Sequence, residues 1–476
     1  MKRRFEKREH QRAMWQHVFS VPHCLLFASL GSGKTGTVLD VLNTLFMTGK
    51  LGPADRVLVA APLRVAKIAW PDEGKKFRWN NIEIAVAVGT PAERTAALQS
   101  SANVVCINYD VVAWLEQQPE ADSFTVLVSD ECTRLSGFRG WQGKAQQSKA
   151  LAKLRKRNKM KRFIGLTATP GGLLKMWGMM WFCDMGKALG GSFGGYIEKW
   201  FTTKQVGKNA FAVKHTPKES AFRQIMRRVA PFALTVDAVS IFGVDKPVPL
   251  DYWVELPHKA RVQYDEMQEN AFVELEANKF AEAANAGASL QKCLQIANGA
   301  VYLSDDDGDT TTEWLQLHDA KLDCLDEIVE KIDSANCIVV YQYRHDLARI
   351  LKHYPRAKVF DKDGKAKALW DAGKLQMLVL HAASAGHGLS LQGDGRPFSG
   401  GHHMIFFGCG FGSELYEQVC GRINPMRQKQ AGYTDRTVFY HHIRARDTFD
   451  EAVKQAIDTG LSQQQACLDY FDTHKK

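Results

Sequence analysis

The chain has 476 residues, 45% of them hydrophobic and 24% charged, a globular composition too long for one hydrophobic core and therefore expected to divide into two principal domains. Its formal charge of +10 favours polyanions such as nucleic acid. Ten cysteines, none in a C-x-x-C pair, argue for reduced thiols and against a zinc module. The start of the chain lacks the apolar core of a signal peptide, and no apolar run approaches the ~18 residues that span a bilayer. A cytoplasmic protein, neither secreted nor membrane-embedded, is expected.

In chain order the first informative segment is the buried strand Leu25-Leu26-Phe27. It runs into Ala28-Ser29-Leu30-Gly31-Ser32-Gly33-Lys34-Thr35-Gly36 and then the helical pattern Val38-Leu39-Asp40-Val41-Leu42. In a strand, phosphate loop and helix of this kind, glycines turn the backbone so that its N–H groups converge on phosphate oxygens. The lysine neutralises the β- and γ-phosphates, and the Thr35 hydroxyl ligates Mg²⁺. ATP with Mg²⁺ is the cofactor this predicts, bound by Leu30, Gly31, Ser32, Gly33, Lys34, Thr35 and Gly36. Such a site needs an acidic element on a neighbouring strand. Phe124-Thr125-Val126-Leu127-Val128-Ser129 delivers Asp130 and Glu131 at a strand end, the first suited to magnesium and the second to polarising water. A further apolar strand ends in Leu166-Thr167-Ala168-Thr169-Pro170.

A Walker A loop, a DE-x-x box (Asp130-Glu131-Cys132-Thr133) and the motif Thr167-Ala168-Thr169 together resemble the first lobe of a superfamily-two helicase of the remodeller-like DNA translocase type. The resemblance implies an α/β fold of two RecA-like lobes, each a mainly parallel sheet flanked by helices. It gives Gln11 the adenine-reading place of the Q motif, where the plain alternative is an exposed helical glutamine. Val57 to Arg64 is similar to motif Ia, with Pro62 and Arg64 at the DNA backbone, and Val104 to Tyr109 is similar to the next DNA-contacting strand and loop, with Asn108 and Tyr109. Thr167 and Thr169 would couple the two activities. The basic run Lys153 to Arg162 is either a nucleic-acid surface or a solvated helix end. The expected domain plan is 1–185 for lobe one, 186–247 for an insertion and interlobe linker, and 248–476 for lobe two.

Beyond the linker, Asp305-Asp306-Asp307-Gly308-Asp309 lacks the later glutamate of a calcium loop and reads as a hairpin turn. Cys337 to Tyr343 resembles motif IV, with Tyr343 at the DNA. Ser384 to Gln392 resembles motif V, with Gly386 near the DNA, Gly388 near the nucleotide, and Ser390 where relatives carry asparagine or aspartate. Gln418-Val419-Cys420-Gly421-Arg422-Ile423-Asn424-Pro425-Met426-Arg427-Gln428 is similar to motif VI, in which Gln418 approaches the nucleotide and an arginine stabilises charge on the γ-phosphoryl. Arg422 matches the first arginine of the pattern. Pro425 stands at the second, which leaves Arg427 as the alternative. The implied activity is an ATP-dependent DNA motor acting on duplex through backbone contacts, as in compact bacteriophage proteins. A strand-separating helicase and an ATP-gated DNA-binding scaffold are the two other readings.

Overall fold

The computed structural model describes residues 5–29, 31–77, 79, 81–136, 144–168, 171–205, 213–236, 243–277, 283–304, 310–333, 335–361, 363–385, 390–410, 412–434 and 436–459. The chain forms two compact units, one spanning Met1–Val206 and Val213–Gly243, the other Val244–Lys476.

In the first unit β1 (His23–Ala28), β2 (Arg56–Ala61), β3 (Ile84–Ala87), β4 (Val104–Asn108), β5 (Phe124–Asp130) and β6 (Arg162–Thr167) come first. They are followed by an antiparallel hairpin, β7 (Phe201–Gln205) with β8 (Val213–Pro217), and by β9 (Ala233–Val236). Seven of these form a parallel sheet in the order β3-β4-β2-β5-β6-β1-β9. The strands are unbroken apolar runs because both faces are covered. Alternate residues divide between two cores. Leu25, Leu58, Ile107, Leu127 and Phe163 face one, while Leu26, Val59, Cys106, Val128 and Ile164 face the other. The helix Leu173–Asp184 closes the first core with Met176, Met179 and Phe182, and the helices Glu9–Ser20 and Lys34–Met47 close the second with Met14, Val18, Val38 and Leu42.

Residues 186–247, expected as insertion and linker, contribute instead to this unit as far as Val236. Tyr196, Ile225 and Val229 enter its first core, and β9 pairs with β1, Leu25 opposite Ala233 and Ala28 opposite Val236. Amphipathic spacing in the helix Ala221–Val229, which buries Ala221, Ile225 and Val229 along one stripe, accounts for the docking.

The second unit contains β10 (Val248–Val254), the hairpin strands β11 (Ala300–Ser304) and β12 (Thr310–Gln316), then β13 (Cys337–Tyr341), β14 (Lys358–Val359), β15 (Met377–His381), β16 (His403–Phe406) and β17 (Phe439–Ala445). Six make a parallel sheet in the order β10-β17-β16-β13-β15-β14. β11 and β12 pair antiparallel around the acidic stretch, whose residues 305–309 lie outside the described residues. Among the helices packed on this sheet, a buried ion pair is conspicuous. Lys321, fully buried, donates to Asp450 Oδ2 at 2.6 Å and to Asn298 Oδ1 at 2.8 Å, tying together the helices Ala283–Asn298, Ala320–Lys331 and Phe449–Thr459. The whole is the two-sheet α/β architecture of two RecA-like lobes.

Candidate active site

Strand order decides which motifs meet. β6 lies between β1 and β5, so the carboxyl ends that carry the phosphate loop, Thr167 and Asp130-Glu131 stand side by side, where parallel sheets place their ligands. The expectation that the acidic strand neighbours the loop strand directly is corrected by the intervening β6. That intervening strand brings the third motif onto the second.

In the phosphate loop Gly31 and Gly33 adopt φ of 86° and 83°, a left-handed backbone that only glycine takes up without strain. At Gly33 a Cβ would also stand 2.2 Å from Gln11 Nε2. Gln11 is not an exposed helical residue. It is buried, its Nε2 donates to the Ser32 carbonyl at 3.3 Å, and its Oε1 accepts from the Arg8 amide at 2.9 Å. His10 Nε2 lies 3.0 Å from the same carbonyl, and burial holds its pKa below the ordinary value, so the neutral ring donates there. Lys34 opens the helix Lys34–Met47 with its ammonium on the Ala28 carbonyl. Thr35 and Gly36 follow in its first turn, Gly36 buried where a Cβ would meet Glu73 Oε1 at 2.7 Å. Leu30 lies outside the described residues.

The two carboxylates of the second motif have different surroundings. Burial pushes the Asp130 carboxyl above the usual carboxylate range, against the opposing pull of the Trp70 hydrogen bond and the Lys34 charge. Trp70 Nε1 donates to its Oδ2 at 2.9 Å. Glu131 sits at φ 63°, a conformation costing a non-glycine residue about 1–3 kcal/mol. Its Oε1 accepts from Thr167 Oγ1 at 2.8 Å and from Thr133 Oγ1 at 3.2 Å. Thr169 lies outside the described residues.

Three residues expected at DNA are interior. Tyr109 is fully buried, its hydroxyl 2.7 Å from Ser129 Oγ and donating to the Asp130 carbonyl at 2.8 Å. It braces the strand that ends in Asp130, an interior place in contrast to the expected DNA contact. Asn108 is buried with its amide on Asp110 Oδ2 at 3.3 Å. Tyr343, 9% exposed, stacks on His345 and donates to Gln291 Oε1 at 2.9 Å. In each case the end of a buried strand carries its last aromatic or amide side chain into the core. Pro62 is buried as well, while Arg64 is half-buried beside exposed Leu63 and Lys67. Sequence reasoning missed Trp70 and His10. Trp70 sits nine residues beyond β2 with no motif of its own, so only the fold reveals its contact with Asp130.

Most of the basic run 153–162 is tied to its own lobe, with Lys159 exposed. Lys153 pairs with Glu116 at 3.5 Å, Arg157 with Asp122 at 2.6 Å and Lys161 with Asp55 at 2.7 Å. Arg155 donates to the Cys183 carbonyl at 3.1 Å, Arg162 to the carbonyls of Val18 and Phe19 at 3.1 and 3.2 Å, and Lys156 lies over the Trp181 ring.

In the second unit Gln418 is half-buried on the helix Ser413–Cys420, and Arg422 is buried just beyond it. The chain then starts a new helix, Pro425–Gln430, with Asn424 as its cap, Oδ1 accepting from the Arg427 amide at 2.9 Å. Proline suits that first helical position, where no N–H is needed, which is why it can replace the arginine of the motif. Arg427 Nη1 donates to Ser390 Oγ at 2.5 Å, so the alternative arginine touches the residue at which motif V departs from its pattern. Burial lowers the Arg427 pKa to about 10. Gly386 and Gly388 lie outside the described residues. The terminal Gln428 is structural, donating to Gly401 and Ile423 carbonyls at 2.8 and 3.2 Å.

The DEAD/DEAH box helicase family matches residues 8–176, the segment holding Gln11, the phosphate loop, Asp130-Glu131 and Thr167. Protein p41 of Acyrthosiphon pisum secondary endosymbiont phage 1 is 37% identical over 456 residues, 95% of either chain. A solved structure, the Sulfolobus solfataricus SWI2/SNF2 ATPase core in complex with dsDNA, covers 96% of this chain and 92% of its own at 18% identity and a TM-score of 0.44, a likeness too distant to bear on function. Among the described residues no helix is long and apolar enough to cross a membrane. The chain belongs to one family with the phage protein p41, carries a DEAD/DEAH box helicase domain over residues 8–176, and is an ATP-dependent nucleic-acid motor.

Proposed function

We propose that the chain is a DNA-dependent ATPase that moves along duplex DNA without separating its strands, in the cytoplasm of a bacterial host. The observation that carries the reading is the Thr167–Glu131 hydrogen bond, which joins the third motif to the carboxylate suited to polarising water. Lys34 neutralises the β- and γ-phosphates, and Gln11, tied to the Ser32 carbonyl, reads the adenine. Gln418 and Gly388 are assigned to nucleotide binding by their places in the motifs. Arg422 stabilises the γ-phosphoryl charge in the transition state, with Arg427 as the second arginine of that lobe. Thr35 and Asp130 offer hard oxygen donors of the kind magnesium accepts beside phosphates and water. Bound there, the ion supplies charge neutralisation, and Asp130 serves by presenting an ionised oxygen that Trp70 orients. Arg64, at the rim of β2, and Gly386 touch phosphates, so little sequence preference is expected. The domain roles follow, with nucleotide binding in lobe one and the closing arginines in lobe two.

Phosphate release measured with no polymer, single-stranded DNA, duplex DNA and RNA tests the reading, with Lys34→Ala as control. Stimulation by duplex, with displacement of a bound triplex strand and no release of single strands, is the expected result. Release of single strands from a forked duplex would replace translocation by unwinding, and near-zero turnover with every polymer would sink the motor.

A further inference from the structure

Two stretches concentrate positive charge. In the first, 153–162, Lys153, Arg157 and Lys161 have carboxylate partners within their lobe. The second, 199–228, carries eight Lys and Arg against one carboxylate, Glu219, a net +7 within a chain of net +10. Lys199, Lys204, Lys218, Arg223, Arg227 and Arg228 are all exposed, and among the described residues none has a carboxylate within ion-pair distance. Neutral partners fix three of them. Lys218 Nζ donates to the carbonyls of Glu198 and Lys199 at 2.8 and 3.1 Å, Arg228 Nη1 donates to the Ala188 carbonyl at 3.3 Å, and Lys199 lies over the Trp200 ring.

The remaining three, Lys204, Arg223 and Arg227, have no hydrogen bond or ion pair among the described residues. Strand pairing sets Lys204 directly opposite Lys214, and Arg223 and Arg227 stand four apart on the helix Ala221–Val229. Like charges four apart on a helix repel, and an anion placed over them relieves that repulsion. Phe222, 63% exposed beside Arg223, adds an apolar surface to the same helix, as sites that hold sugar and base alongside phosphate require.

We propose that the strands β7 and β8 and the helix Ala221–Val229 form an auxiliary contact for the phosphodiester backbone of nucleic acid, additional to the helicase motifs. Its fixed cations set the geometry, and Lys204, Arg223 and Arg227 meet phosphates. The proposal rests on the reading that the chain binds nucleic acid and is independent of hydrolysis.

The full chain carrying Lys204→Glu, Arg223→Glu and Arg227→Glu is compared with the unmodified protein by anisotropy of a short labelled duplex without ATP, across a salt series, and then with single-stranded DNA and RNA. Three lost phosphate contacts flatten the log–log salt slope by about 2.7, so between roughly 50 and 200 mM salt the unmodified protein loses about 40-fold more affinity than the variant. Basal ATP hydrolysis without polymer and the melting temperature should not fall. The neutral set Lys204→Gln, Arg223→Gln and Arg227→Gln, which places no new charge on the surface, should flatten the slope to a similar degree. An unchanged slope in both variants with duplex DNA, single-stranded DNA and RNA alike overturns the proposal. A flattened slope in a protein that fails to hydrolyse ATP upholds it while refuting the motor.

Discussion

At the scale of single residues, the Thr167 hydroxyl and the Glu131 carboxylate should act as a unit. Glu131→Gln is expected to lower DNA-stimulated turnover by about 10²–10⁴-fold with nucleotide affinity kept, since Lys34 and the loop amides are untouched. Thr167→Val removes the 2.8 Å bond without changing shape. Its loss in turnover should not add to that of Glu131→Gln, and a double-mutant cycle on single-turnover rates measures the coupling. Asp130 makes a different prediction. Its pKa is raised, first by burial, so its ionised form opposes folding and stability is greater when it is protonated. Asp130→Asn should therefore melt at higher temperature at neutral pH, the advantage shrinking as pH falls toward the ordinary carboxylate value of 3.8, where the native carboxyl is already neutral. Thermal melts of both proteins across that range check the sign, and loss of activity in the stabilised variant would illustrate an active site held at a cost in stability. Residue types and spacing made the strand, loop and helix around Lys34 and the strand end at Asp130 legible in the sequence. Tyr109 and Tyr343 misled, because a polar aromatic at a strand end reads alike whether its hydroxyl faces a phosphate or a buried carbonyl. Trp70 was invisible, since its partner is 60 residues away.

At the scale of elements, helix ends and buried pairs carry the predictions. Asn424 caps the helix that positions Arg427, and Asn424→Ala should cost about 1 kcal/mol by chemical denaturation. Lys321→Ala leaves Asp450 and Asn298 buried without their cation and should cost about 3–5 kcal/mol in the same measurement. β16 and β17 bring His403 Nδ1 to 3.0 Å from His441 Nε2, and burial lowers both pKa values to about 4. A histidine held neutral in the fold but titrating near 6.5 when unfolded supports stability above 6.5, and that support is lost as pH falls toward 4. The melting temperature should therefore drop steeply over this interval, and His403→Phe, which keeps an aromatic ring against Phe439, should flatten the drop. Parallel strands were easy to locate from apolar runs. β9 was not, since Ala233-Leu234-Thr235-Val236 is too short to announce itself and gains its identity only from β1.

For the whole molecule, two units with separate sheets predict two calorimetric transitions. Five histidines with pKa values lowered by burial, His318, His402, His403, His441 and His442, lie in the second unit against three in the first, so mild acid should lower the second unit's transition further. The net charge points toward polyanions, yet three cations of the densest basic run, Lys153, Arg157 and Lys161, are paired within the lobe, because a run of charges carries no record of the carboxylates that folding brings to it. The order of the first sheet has a consequence for how the protein is made. β1 emerges from the ribosome before every other strand, but its two partners are β6 and β9, the latter ending at Val236. Until synthesis has passed Val236, the strand that precedes the phosphate loop has an unpaired edge, open to any passing strand. Nascent chains stalled before that point should need chaperones, and those stalled well after it should not.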